Sequence, residues 1–123
     1  MEFKDILAKR RSVRRFDDRR VPREVIDLLL KETFTAPSSR NSRSTRIMVV
    51  EDRDIIARMA EMRDYGSAFL KNAPLAFVVM GDGNASPMWR TNCAISATIL
   101  QLACVGGGLA SCWGHGGGRP HVP

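Results

Sequence analysis

The 123-residue sequence has only three cysteines, at positions 93, 104 and 112, and their spacing is irregular. So few cysteines exclude a disulfide-stabilised scaffold and favour a reducing compartment, which predicts a cytoplasmic protein. No apolar run approaches the ~20 residues that a membrane-spanning helix needs. The N-terminal stretch MEFKDILAKRRSVRR lacks the apolar region of a secretory signal peptide. We therefore expect a protein that is neither inserted in a membrane nor secreted.

Histidine is equally scarce, since the sequence contains only His115 and His121. Together with Cys112 these side chains are capable of binding a metal ion, but no fourth ligand stands at a suitable spacing and the segment is rich in glycine. The sequence therefore predicts no metal site.

Acidic residues are too few to balance the basic ones, because nineteen Lys and Arg against thirteen Asp and Glu give a net charge of +6. The whole excess lies in residues 1–46, and fifteen of the nineteen basic residues are arginine. Arginine binds phosphate and carboxylate groups through paired, directional hydrogen bonds. The charge therefore predicts an anionic partner, either a nucleic acid, a phosphorylated cofactor or an acidic protein, with a solvated basic face as the simpler interpretation.

Apolar periodicity predicts alternating helices and strands in one domain, residues 1–113, followed by an irregular tail rich in Gly, His and Pro over 114–123. The predicted helices span about 3–11, 22–33, 52–60 and 87–105, with a short amphipathic piece over 65–72. Buried strands are expected over 47–50 and 75–80, and a third strand over 109–113. This alternation favours an α/β or α+β domain in which helices cover a small sheet.

Two polar segments are candidates for ligand binding. The first, Arg10-Arg11-Ser12-Val13-Arg14, is called here the arginine segment, and it places a hydroxyl among three guanidinium groups, which suits a phosphate. The second, Pro37-Ser38-Ser39-Arg40-Asn41, supplies short polar side chains that either cap a helix or donate hydrogen bonds to a ligand. Taken alone, each segment is better explained as a solvated face or a helix cap.

Taken together, these segments resemble the nitroreductase family of FMN-dependent NAD(P)H oxidoreductases. The resemblance runs in family order from about residue 3 to residue 113 through KRRSVRRFDDRRVPREVIDLLL, TAPSSRN, IMVVED, LKNAPLAFVV and GLASCW. It implies an α+β fold with a layered sheet, flanking helices and a long central helix. It also implies a homodimer with flavin at the subunit interface. NAD(P)H would reduce the flavin, and a small-molecule electron acceptor such as a nitroaromatic or a quinone would reoxidise it.

The resemblance also implies the cofactor-binding residues, and it implies no catalytic side chain because the flavin carries the chemistry. The FMN phosphate and ribityl chain would be bound by Arg10, Arg11, Ser12 and Arg14. The flavin ring would be lined by Pro37, Ser38, Ser39 and Asn41. The segment 108–113, called here the late segment, would lie near the isoalloxazine and contribute Ala110 and Ser111.

The sequence departs from the family pattern in three places. Residues 42–47 read SRSTRI where the family often has Leu-Gln-Pro-Trp-x-Phe, and Ala110 replaces a glycine. The sequence also ends where the family continues with a strand, a helix and an arm, so we expect an incomplete C-terminal part and weaker FMN binding. Two alternatives therefore stay open: a non-catalytic remnant of the fold, and a basic nucleic-acid-binding module, which the lack of a nucleic-acid motif makes the weaker of the two.

Overall fold

The structure is a computed structural model and describes residues 1–115. Its helices and strands alternate along the chain, with short 3₁₀ turns over Ser39–Asn41 and Ala68–Asn72. In chain order the elements are α1 (Phe3–Lys9), α2 (Arg23–Thr33), β1 (Thr45–Val50), α3 (Arg53–Met59), β2 (Ala76–Gly81) and α4 (Trp89–Gly106). The α+β class predicted from the sequence is therefore confirmed, while the expected tail over 116–123 lies outside the described residues.

The predicted helices and the two main strands are present, and their ends differ by a few residues. Pro22 has an extended ψ of 145° and stands immediately before α2, because its fixed φ suits the residue that leads into a helix. The long helix begins at Trp89 rather than at position 87. Just before it, the Ser86 hydroxyl accepts a 3.0 Å hydrogen bond from the Met88 amide.

The third strand predicted over 109–113 is wrong for the part of the chain that the structure describes. Ser111 makes a single parallel bridge to Ser12, and no ladder extends from it. A β-strand requires a row of partners, and here the segment contacts a loop at one residue only.

The sheet described within residues 1–115 is an antiparallel pair, with register running from Thr45 opposite Gly81 to Val50 opposite Ala76. The expectation of fully buried strands is wrong, since Met48 in the middle of β1 is 51% exposed. Side chains at alternate positions of a strand share a face, so Met48 lies on the same face as Val50, which packs against Ile56 of α3. That contact buries Val50 and leaves Met48 exposed.

Two apolar clusters hold these elements together. In the first, Leu29 of α2 packs against Leu100 and Cys104 of α4. In the second, Ile56 of α3 packs between the paired strand residues Val50 and Ala76. The long helix α4 thus contacts both α2 and the sheet. No helix among residues 1–115 combines the length and the hydropathy that crossing a bilayer would require.

Candidate functional site

The arginine segment leaves the end of α1 and runs beside the late segment. Ser12 and Ser111 form a parallel bridge, in which the Val13 amide donates a 3.0 Å hydrogen bond to the Ser111 carbonyl. Residues that are about a hundred positions apart in the sequence are thereby brought into backbone contact. Two of the three segments predicted to bind a cofactor are therefore neighbours in the fold.

The guanidinium groups of the arginine segment are available to a ligand. Arg11 and Arg14 are exposed and Arg10 is half-buried. Within residues 1–115 the arginine ion pairs involve other positions, namely Arg19 with Asp17, Arg20 with Glu51, Arg23 with Asp27 and Arg46 with Asp82. The arginines of the arginine segment thus have no carboxylate partner in this part of the chain, which leaves them available to an anion.

Arg19, unlike the arginines of the arginine segment, is paired with a carboxylate. Its side chain and its amide both bond to the Asp17 carboxylate, with a closest distance of 3.1 Å. These hydrogen bonds lower the pKa of Asp17 and raise that of Arg19. Arg19 thus has a carboxylate neighbour at the surface, which the arginines of the arginine segment lack within residues 1–115.

The second predicted segment belongs to a tight loop before β1, residues 37–44, which we call the serine loop. The Asn41 amide donates to the Ser38 carbonyl at 2.9 Å, and the Arg43 amide donates to the Ser38 hydroxyl at 2.9 Å. Arg40, Asn41 and Arg43 have φ angles of 52°, 55° and 49°. Non-glycine residues rarely adopt this left-handed region, so the loop is locally strained.

Asn92 of α4 binds the serine loop from inside the protein. It is only 1% exposed, and its side-chain oxygen accepts a 3.0 Å hydrogen bond from the Ser39 amide. Its side-chain nitrogen donates to the Ser44 hydroxyl at 2.9 Å and to the Ser42 hydroxyl at 3.3 Å. This residue was not predicted from the sequence, because α4 carries several other polar residues and nothing in their spacing singles out Asn92.

The structure does not join all the predicted residues within one chain. Across residues 1–115, no hydrogen bond or ion pair connects the arginine segment with the serine loop. Ser38 lines a cleft of about 490 Å³ between α2 and β1. Ala110 and Ser111 instead line a groove of about 1180 Å³ between β2 and α4, which we call the main groove. The main groove is also lined by the apolar side chains Phe77, Val79, Ala97 and Leu100.

The three cysteines are free thiols, and two of them have a raised pKa. Burial, with a smaller contribution from the charge of Glu32, raises the pKa of the Cys104 thiol to about 11. Burial also raises the pKa of Cys93, although a hydrogen bond with Thr45 opposes the effect. Because a thiolate is the nucleophilic form, neither side chain is suited to nucleophilic catalysis. No group of side chains among residues 1–115 has the composition of a metal site, and His121 lies outside these residues.

Comparison with known proteins identifies the class of α+β protein to which this fold belongs. A model described as the nitroreductase family matches residues 7–62. An FMN-dependent nitroreductase from Clostridium difficile R20291 superimposes with a TM-score of 0.90 at 37% identity, covering 94% of this chain and 68% of that one. The chain belongs to the nitroreductase family, as the sequence resemblance predicted.

Relatives of known sequence extend this comparison. A protein of Methanothermobacter thermautotrophicus, provisionally named an NADH dehydrogenase/NAD(P)H nitroreductase, is 32% identical over 92% of this chain. The chain spans 60% of the length of that relative. Iodotyrosine deiodinase 1 of Sus scrofa is 43% identical over 51% of this chain, which corresponds to 22% of the deiodinase.

Proposed function

We propose that the protein is an FMN-dependent oxidoreductase of the cytoplasm. When bound, FMN would supply the redox chemistry, taking electrons from NAD(P)H and delivering them to a nitroaromatic or quinone-like acceptor. The observation that carries this proposal is the pairing of Ser12 with Ser111, because it sets the arginine segment beside the late segment in a chain of this family. The rest of the proposal concerns what this chain's own residues do.

The donor set of the arginine segment fits the phosphate of FMN. Three guanidinium groups, on Arg10, Arg11 and Arg14, have no carboxylate partner within residues 1–115, and the Ser12 hydroxyl lies among them in the sequence. A phosphate carries close to two negative charges and offers several acceptor oxygens, and arginine matches that geometry with paired donors. These four residues would anchor the cofactor by its phosphate and ribityl chain.

The serine loop would contact the flavin ring. The Ser38 hydroxyl accepts a hydrogen bond from the Arg43 amide and keeps its own proton for donation. Asn41 accepts from the Arg43 side chain at 3.4 Å and keeps its amide N–H groups. Both side chains therefore retain donors that suit the polar edge of the ring. The ring-lining set that we propose comprises Pro37, Ser38, Ser39, Asn41, Ala110 and Ser111.

A homodimer would bring these groups together, because the arginine segment and the serine loop are not linked within one chain. The lining of the main groove supports this proposal, since it leaves apolar side chains of β2 and α4 open to a partner. Phe3 and Leu7 on α1 add exposed apolar surface, at 64% and 51% exposure. Light scattering at micromolar concentration should give twice the chain mass, and a monomer would count against an interfacial site.

The electron acceptor is proposed from the names of the relatives. Nitroaromatics and quinones are the first candidates, because the relatives that match most of the chain are named nitroreductases. The deiodinase likeness adds iodotyrosine as a third candidate, and it covers about half of the chain, 51%. A panel of these three acceptors, tested with NADH and NADPH separately, would rank them.

The decisive experiment is flavin binding by the purified protein. When FMN is added to the folded protein, its fluorescence should be quenched along a saturable binding curve. Heating the complex should release a stoichiometric amount of FMN. Riboflavin, which lacks the phosphate, should bind far more weakly if the arginine segment holds that group. A folded protein that bound neither flavin would favour the non-catalytic alternative. Salt-dependent retardation of RNA or DNA under the same conditions would favour the nucleic-acid module.

A further inference from the structure

We propose that Asn92 is a positioning residue that holds the serine loop in its strained conformation, so that Ser38, Ser39 and Asn41 are presented to the cofactor as one preformed surface. The proposal rests on the proposed function, in which the loop meets the flavin ring. Asn92 itself is buried and would not touch the ligand, so it acts through the loop alone.

The first argument is the strain in the loop. Three residues within four positions, Arg40, Asn41 and Arg43, have positive φ angles, and none of them is glycine. A single such residue is uncommon, and a cluster persists only where surrounding contacts determine the backbone. The hydrogen bonds within the loop join only neighbouring residues of it. Apart from the bonds of Asn92, the loop is tied to other elements at its C-terminal end, where the Asp82 amide donates to the Ser44 carbonyl at 2.8 Å and the Arg46 side chain donates to the Arg43 carbonyl at 2.7 Å.

The second argument is the number of bonds that Asn92 directs at this loop. A side-chain amide offers one acceptor oxygen and two N–H donors. The oxygen accepts from the Ser39 amide, and the nitrogen donates to the Ser42 and Ser44 hydroxyls. Every one of these partners belongs to the serine loop, so the amide uses both its acceptor and its donor group on a single segment.

The third argument is burial. Asn92 is 1% exposed and Ser44 is fully buried, so water does not compete for their 2.9 Å hydrogen bond. A buried polar side chain that loses its partners retains its desolvation penalty, so the network favours this conformation of the loop over any that leaves Asn92 without partners. Because α4 packs against both α2 and the sheet, its position is set by the core clusters, and Asn92 transmits that position to the loop.

The experiment compares Asn92→Ala with Asn92→Asp and with Ser67→Ala. Aspartate keeps the acceptor for the Ser39 amide but has no N–H to donate, so it should restore part of the function. Ser67 is a matched control, because it is fully buried and donates a 2.8 Å hydrogen bond to the Ala60 carbonyl in a different loop. Each variant is measured by amide hydrogen exchange, by FMN affinity and by the visible spectrum of bound FMN.

We expect Asn92→Ala to increase the exchange of the Ser39 and Arg43 amides and to raise the FMN dissociation constant, each by about tenfold or more. The spectrum of bound FMN should shift toward that of free FMN. Asn92→Asp should fall between Asn92→Ala and the wild type. Ser67→Ala should lower the melting temperature and leave exchange in the serine loop and FMN affinity unchanged. A purely structural role would lower the melting temperature of Asn92→Ala without these local effects, and that result would overturn the proposal.

If Asn92→Ala does not fold, a second pair of variants tests the proposal. Ser44→Ala removes the 2.9 Å bond and Ser42→Ala removes the 3.3 Å bond, so Ser44→Ala should have the larger effect on exchange and affinity. Equal, negligible effects would overturn the proposal. If the wild-type protein bound no FMN, the proposed function would fail, and the exchange data would still show whether Asn92 holds the loop.

Discussion

The indole of Trp89, in the first turn of α4, lies directly against Gly81 at the end of β2. A Cβ atom added at position 81 would lie 2.9 Å from both the Cβ and the Cδ2 of Trp89, and closer still to its Cε3. The absence of a side chain at Gly81 therefore allows the long helix to start beside the strand that precedes it.

Replacing Gly81 with alanine should destabilise the fold by about 1–3 kcal/mol, because the added methyl group overpacks the Trp89 contact and forces the helix or the strand to shift. Chemical denaturation measures the effect. Gly83→Ala is the matched control, since a Cβ there would lie at an ordinary 3.5 Å from the Trp89 ring. Equal stability of the two variants would show that the indole moves aside freely.

The start of α3 gives a second prediction. Asp52 is the N-cap, and its carboxylate accepts hydrogen bonds from the Asp54 and Ile55 amides at 2.9 Å and 3.2 Å. Asp52→Ala should lower the free energy of unfolding by about 1 kcal/mol, because these amides lose their partner. Asp54→Ala serves as the control, since that side chain lies in the first turn and does not cap it. A larger loss for Asp54→Ala would contradict this assignment of the cap.

The elements of this fold that the sequence predicts well are those set by local patterns. Apolar residues of α2 repeat at helical spacing, and Ile26 and Leu29 of that face are indeed buried. The start of α3 likewise depends on two neighbouring aspartates, of which Asp52 caps the helix and Asp54 lies in its first turn. Such features depend on residues within a few positions of one another, so short-range physics determines them.

What the sequence does not predict depends on contacts between distant residues. A third strand over 109–113 was expected from its apolar character, but strand formation needs a partner ladder, and only the bridge at Ser111 forms in the described chain. The partners of Asn92 lie 48 to 53 residues away, so spacing alone does not reveal them. The family resemblance named the candidate segments, and the fold shows which of them meet.

The Cys104 thiol gives a prediction about pH. Burial raises its pKa from 9.0 to about 11, so the folded state holds the thiol proton more tightly than the unfolded state does. The resulting stabilisation is complete below pH 9 and is lost as the pH rises toward 11, amounting to about 2–3 kcal/mol. Urea denaturation across this range should show a steeper decline for the wild type than for Cys104→Ala. Cys112→Ala, which retains the buried thiol, should decline like the wild type, and identical slopes for all three would contradict the prediction.

The last prediction concerns Arg14, which is exposed and has no carboxylate partner within residues 1–115. If Arg14 binds the FMN phosphate, Arg14→Ala should raise the FMN dissociation constant about 10- to 150-fold, because a charge-assisted hydrogen bond contributes about 1.5–3 kcal/mol. Arg14→Lys should have an intermediate effect, since lysine keeps the charge but lacks the planar pair of donors. Fluorescence titration measures all three proteins.

Arg58→Ala separates direct contact from overall charge in that experiment. Arg58 is exposed on α3, outside the proposed site, and its loss changes the net charge by the same amount as the loss of Arg14. Because salt screens exposed charges beyond a Debye length of about 10 Å, the control should change FMN affinity little at ordinary ionic strength. Riboflavin binding should change far less than FMN binding on Arg14→Ala and little on Arg58→Ala, since riboflavin keeps the ribityl chain but has no phosphate for Arg14 to hold. Equal effects of Arg14→Ala and Arg58→Ala on FMN would mean that the arginine segment acts only as a diffuse positive surface, and the phosphate site would then have to lie elsewhere.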